Sequence, residues 1–91
     1  MNIYVANIGF NTSADQLKRL FAEFGRVITS GIFTDRQTGN SRGFGFVRME
    51  SVTEAAMAMD KLNGTDMDGR IISVVSSRKK INHGELLLKN E

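Results

Sequence analysis

Two segments of this 91-residue chain repeat apolar side chains at helical spacing, and each does so on one stripe only. Leu17, Leu20, Phe21 and Phe24 recur at i, i+3, i+4 and i+7, as do Ala55, Ala58, Met59 and Leu62. A helix with a single apolar stripe has one surface to bury, so it packs against one layer. Around the helices lie four runs of strand chemistry: IYVANI (3–8), VITSGIFT (27–34), GFGFVRM (43–49) and IISVVSS (71–77). The order is βαββαβ. Both helices must then cover the same face of a four-stranded antiparallel sheet, an α+β, ferredoxin-like sandwich. The other sheet face is left to water.

The boundaries carry their own signals. Ser13 and Gln16 stand at capping-box spacing with Asp15 in the first turn, and Gly25 reads as the glycine that closes the first helix. Ser51 and Glu54 repeat the box, and Asn63-Gly64 stops the second helix. DRQTGNSR (35–42) reads as a loop that turns at Gly39-Asn40, and TDMDG (65–69) as a short acidic connector.

Strand alternation sorts the third strand into Phe44, Phe46 and Arg48 on one face and Gly45, Val47 and Met49 on the other. An unpaired mid-strand arginine is seldom buried, so the face with Arg48 reads as the open one. The alternative makes Phe44 and Phe46 core rings and Arg48 an edge residue that snorkels to water. By the same parity Ile3, Val5 and Ile32 point to the core, while Tyr4 and Phe33 join the phenylalanines outside. Four of the chain's seven aromatic rings are thus expected on a wet surface. Exposed apolar area of that kind marks an interface, for nucleic acid, for protein or for a second copy.

Composition removes several chemistries. There is no cysteine, and His83 is the one histidine, so thiolate sites, zinc sites and triads lack their ligands. The apolar runs are too short to span a bilayer, and MNIYVANIG lacks the basic start and long apolar segment of a signal peptide. The chain therefore reads as cytoplasmic, without cofactor or metal. Twelve Lys and Arg against ten acids give a net charge of +2, mildly basic and compatible with a nucleic-acid partner.

RGFGFVRM (42–49) resembles the ribonucleoprotein octamer of the RNA-recognition motif, basic-Gly-aromatic-Gly-aromatic-Val-x-aromatic, at seven of eight places. IYVANI is similar to the companion hexamer, with Ile8 in the place of leucine. DRQTGNSR and the helix ending LNG resemble the family as well, and the likeness covers residues 2 to 77. Within the family the compact single-motif bacterial proteins and the glycine-rich plant type are the nearest in kind. Met49 departs from the octamer's last aromatic, at a position whose parity is inward, where methionine fills core space.

The resemblance implies a monomeric binder of single-stranded RNA, with single-stranded DNA not distinguished, acting in post-transcriptional regulation. Tyr4, Phe44 and Phe46 correspond to the family's rings, two stacking on bases and one packing on ribose, and Arg42 to its phosphate-pairing basic residue. Phe33 either joins the stack or packs at an edge beside a bulge. Arg48 either meets phosphate or keeps the face hydrated. Asn7 and Ser73 are candidates for base-edge hydrogen bonds or for structural roles. Residues 1–77 make the binding domain and 78–91 a basic tail, in which Arg78, Lys79 and Lys80 either pair phosphates or form a solvated cluster. Leu86, Leu87 and Leu88 of that tail would form a lid over the rings in the opposing arrangement. The remaining rival is a protein-interaction module of the same fold. An enzyme is not expected: NIGFNTS (7–13) has no basic residue to cradle phosphate, and GFGFVR lacks the third glycine of a dinucleotide fingerprint.

Overall fold

A computed structural model of the chain describes residues 1–76. Its elements run β1 Asn2–Ala6, α1 Ala14–Ala22, β2 Val27–Thr34, β3 Ser41–Met49, α2 Val52–Leu62, β4 Asp66–Met67, β5 Arg70–Ile71 and β6 Ser73–Ser76. Four strands form one antiparallel sheet in the order β2-β3-β1-β6. The α+β sandwich expected from the order of elements is the fold.

The first helix starts where its capping box lies. The Gln16 N–H donates to Ser13 Oγ at 3.1 Å, and the Ser13 N–H donates to Gln16 Oε1 at 2.7 Å. At α2 the Glu54 N–H donates to Ser51 Oγ at 3.2 Å. The Glu54 side chain lies beside Gly25, where an added Cβ would collide with it. Gly25 therefore serves close approach and does not close α1 in a left-handed turn: that helix ends on Glu23 in right-handed conformation. Gly64 does stop α2, with φ +81°.

The core lies between the inner sheet face and the helices. β1 supplies Ile3 and Val5, β3 supplies Val47 and Met49, and β6 supplies Val74. Leu17 and Phe21 come from α1, and Ala55, Ala58 and Leu62 from α2. Leu20, Phe24 and Met59, the rest of the two stripes, pack around that cluster. Gly45 serves close approach, since a Cβ there would collide with the Gly31 carbonyl oxygen of β2 and would also stand 3.0 Å from Leu17 Cδ1 of α1.

One connector is more ordered than its composition suggests. TDMDG carries a small hairpin in which Asp66 faces Ile71 and Met67 faces Arg70. Asp68 and Gly69 both take positive φ, 52° and 87°, as a type I′ turn requires. Asp66 Oδ1 accepts the Gly69 N–H at 2.9 Å. Ile72 then drops into the core, with its N–H bonded to Thr65 O and its carbonyl to the Gly64 N–H, each at 2.9 Å. IISVVSS is therefore cut into β5 and β6.

Among the described residues no helix is long and apolar enough to cross a membrane.

Candidate nucleic-acid interface

Residues opposite one another in an antiparallel pair share a face. β1 and β3 oppose Asn2 with Arg48, Tyr4 with Phe46 and Ala6 with Phe44. β6 adds Val75 beside Tyr4 and Ser73 beside Ala6. β2 adds Thr29 beside Arg48 and Gly31 beside Phe46. The parity read from the sequence is the parity of the sheet: rings and Arg48 outside, Val47 and Met49 inside.

The rings form one cluster with Phe33 at its hub. Its centroid lies 5.0 Å from that of Phe44, 5.7 Å from Phe46 and 6.4 Å from Tyr4, all tilted and within the range of favourable ring pairs. Two register shifts in the β2–β3 pairing, at Val27/Thr29 and Ile32/Thr34, supply the irregularity expected of β2. Phe33 sits in the second. Gly31 makes room for the cluster, because a Cβ there would lie 2.5 Å from Phe46 Cε1. The ring of Phe46 therefore extends over the β2 backbone. Asn2, Tyr4, Thr29, Phe33, Phe46 and Arg48 line a shallow groove of about 330 Å³.

One expectation needs correction. Phe44 is on the outer face and outside the core cluster, but it is only 1% exposed. Among the described residues the ring packed against it is Phe33. Tyr4 and Phe46 remain partly exposed. Phe33 is partly exposed as well, so the open part of the platform is shared by these three rings.

Arg42 and Arg48 are both exposed, and neither forms an ion pair among the described residues. Arg42 lies at the end of β3, beside Gly43, whose φ of +84° calls for glycine at that place in the octamer. It also acts on Asp35. The N–H groups of Thr38 and Gln37, at 3.1 and 2.8 Å, hold the Asp35 carboxyl below its usual range, and the nearby Arg42 charge adds to the effect.

Asn7 has structural work. It takes a left-handed φ of 62°, and its Nδ2 donates to Ile71 O at 2.8 Å, which ties the end of β1 to the small hairpin. Ser73 is exposed on the outer face. Arg78, Lys79, Lys80 and the leucines of the tail lie outside the described residues.

Three outer residues were not singled out by the sequence. Gly31 looks like any strand glycine until its partner is known, and Val75 looks like core. Phe10 falls in the β1–α1 loop, beyond any strand period; it is 68% exposed, with the Arg70 guanidinium 5.6 Å from its centroid. Among the described residues no cluster of three or more His, Cys, Asp or Glu is placed to hold a metal.

Residues 3–73 match the family model described as RNA recognition motif. RNA-binding protein CP31B, chloroplastic, of Arabidopsis thaliana is 43% identical over 72 residues, 79% of this chain and 25% of that protein. RbpE of Nostoc sp., also named for RNA binding, is 39% identical over 84 residues, 92% of this chain and 85% of that protein. The chain thus spans a quarter of the plant relative and most of the cyanobacterial one. The crystal structure of RNA-binding protein PG1 superposes with a TM-score of 0.81 at 40% identity, covering 82% of this chain and 90% of that one.

Proposed function

The chain belongs to the RNA-recognition-motif family, and from that membership we propose that it binds single-stranded RNA on the outer face of its sheet. One observation carries the reading: Tyr4, Phe33, Phe44 and Phe46 share a face with an exposed arginine that has no ion-pair partner among the described residues. Every base has a π-face, so partly exposed rings on a flat sheet stack an unpaired strand without needing a duplex groove. Tyr4 and Phe46, opposite one another in the register, take the bases. Phe44, buried beside Phe33, backs that platform. Arg42 and Arg48 meet phosphates on either side, Arg42 through its bidentate fork.

Three supports converge on RNA as the ligand: the family, the ring face, and relatives named for RNA binding. The rival reading, a protein-docking version of the fold, gives no reason for two exposed arginines to flank the rings. The action we propose is binding alone, in post-transcriptional regulation.

A selection from random single strands, run as RNA and as DNA at one stated salt concentration with duplex as competitor, tests this. The expected result is enrichment of RNA single strands with weak competition by duplex. Equal competition by duplex would point to a basic patch instead, and the stacking reading would fall.

A further inference from the structure

The end of the sheet carries a second groove that the ring platform does not use. The β1–α1 loop contributes Phe10 and Asn11, and the β2–β3 loop contributes Asp35, Asn40 and Arg42, to a space of about 560 Å³. Small-ligand sites span roughly 300–1,000 Å³. Phe10 is largely exposed, yet it is held: the Arg70 guanidinium stands 5.6 Å from its centroid. Its Cε1 would lie 3.8 Å from a Cβ on Gly43, so the ring edge rests close to the end of β3. A large ring braced by a cation and lining an open groove is a stacking surface already in place.

The polar wall selects what lies against that ring. Asp35 Oδ1 accepts both turn N–H groups, from Gln37 and Thr38, and Oδ2 stands outside those two bonds. An ionised carboxylate repels phosphate and accepts from N–H groups, so it favours a base edge over the backbone. Arg42, in the same groove, supplies the countercharge for a phosphate. Among the bases, guanine offers two adjacent donors, N1–H and N2–H, to a carboxylate.

We propose that this rim groove is an additional nucleotide subsite: a base stacks on Phe10 and presents its donor edge to Asp35, with guanine preferred. The subsite extends the ring platform, so it rests on the RNA-binding reading.

The test uses the full chain with uridine and adenosine tetraribonucleotides, each also lengthened by one G, A, C or U at either end. In the wild type, adding G at one end should tighten binding about fivefold or more, the lower end of what one stack provides. Phe10→Ala should abolish that gain and leave tetranucleotide affinity and thermal stability unchanged. Asp35→Asn keeps an oxygen for the turn, and should erase the preference for G over U while retaining the gain from stacking. Tetranucleotides that bind without any gain on lengthening would sink the subsite alone. So would an equal loss in Phe10→Ala for tetramers and pentamers. If neither tetranucleotide binds, the platform reading fails and the subsite with it. A guanine preference that survives Asp35→Asn would overturn the role given to that carboxylate.

Discussion

Phe46 and Val47 are neighbours in β3, and the sheet sends them to opposite sides. Val47 is fully buried with Ile3, Met49 and residues of both helices, so its apolar surface is satisfied within the fold. Phe46 has Phe33 beside it and remains partly open. The inner face is completed by folding, whereas the outer face keeps apolar area whose removal from water awaits a ligand. Ring contacts moderate the cost of leaving it there: Phe33 pairs with Phe44, Phe46 and Tyr4 at ring-centroid distances of 5.0, 5.7 and 6.4 Å. A single alternation in sequence therefore separates stability from binding.

The largest effect belongs to the inner face. Phe21→Ala should cost about 3–5 kcal/mol in urea unfolding, by loss of a fully buried ring. RNA affinity per folded molecule should not change. Phe44→Ala blurs the two faces, because its ring is outside the core yet buried. It should lower stability by about 0.5–3 kcal/mol and also weaken RNA binding, whereas Tyr4→Ala should cost about 1–3 kcal/mol of affinity with little loss of stability. A Phe44→Ala protein that loses affinity alone would restore a clean division between the faces.

Gly31→Ala sharpens the comparison from the neighbouring strand. Its methyl would displace the ring of Phe46, with a rotamer cost of the order of 0.5–1.5 kcal/mol. The expected affinity loss is smaller than for Phe46→Ala, with RNA titrations on both variants as the check. The smallest effect concerns Asp35. Its carboxyl is depressed in the folded chain, so the stabilisation it brings is present above the ordinary value of 3.8 and is lost as pH falls through the lower folded value. An NMR titration following the Gln37 and Thr38 amides should report a midpoint below 3.8. A midpoint at or above it would mean the turn bonds do not hold the carboxylate.

Much of this was legible because period-two and 3.6-residue patterns report which side of an element is buried. They placed Leu17 and Phe21 in the core and Tyr4 and Phe46 outside it. Ser13 and Gln16 announced the start of α1 because a capping box is local chemistry. What the patterns could not show depends on partners distant in sequence. Phe44 is buried although its parity is outward, and it pairs with a ring eleven positions away that sits in a bulge periodicity does not encode. Gly25 answers to Glu54 on the other helix. The small hairpin was within reach, since Asp68-Gly69 is a type I′ signal, but the apolar run from Ile71 to Val75 read as one strand and hid the break at Ile72. Phe10 belongs to a loop, where no period applies.

The division of the sheet into a stabilising face and a binding face is tested most directly by Phe46→Ala against Val47→Ala, each measured by urea unfolding and by titration with single-stranded RNA. Phe46→Ala should lose about 1–3 kcal/mol of affinity while keeping a cooperative unfolding transition near that of the wild type. Val47→Ala should lose about 1–3 kcal/mol of stability and bind RNA normally once folded. If Phe46→Ala instead unfolds as readily as Val47→Ala and its folded fraction binds RNA undiminished, the outer face is not the binding surface.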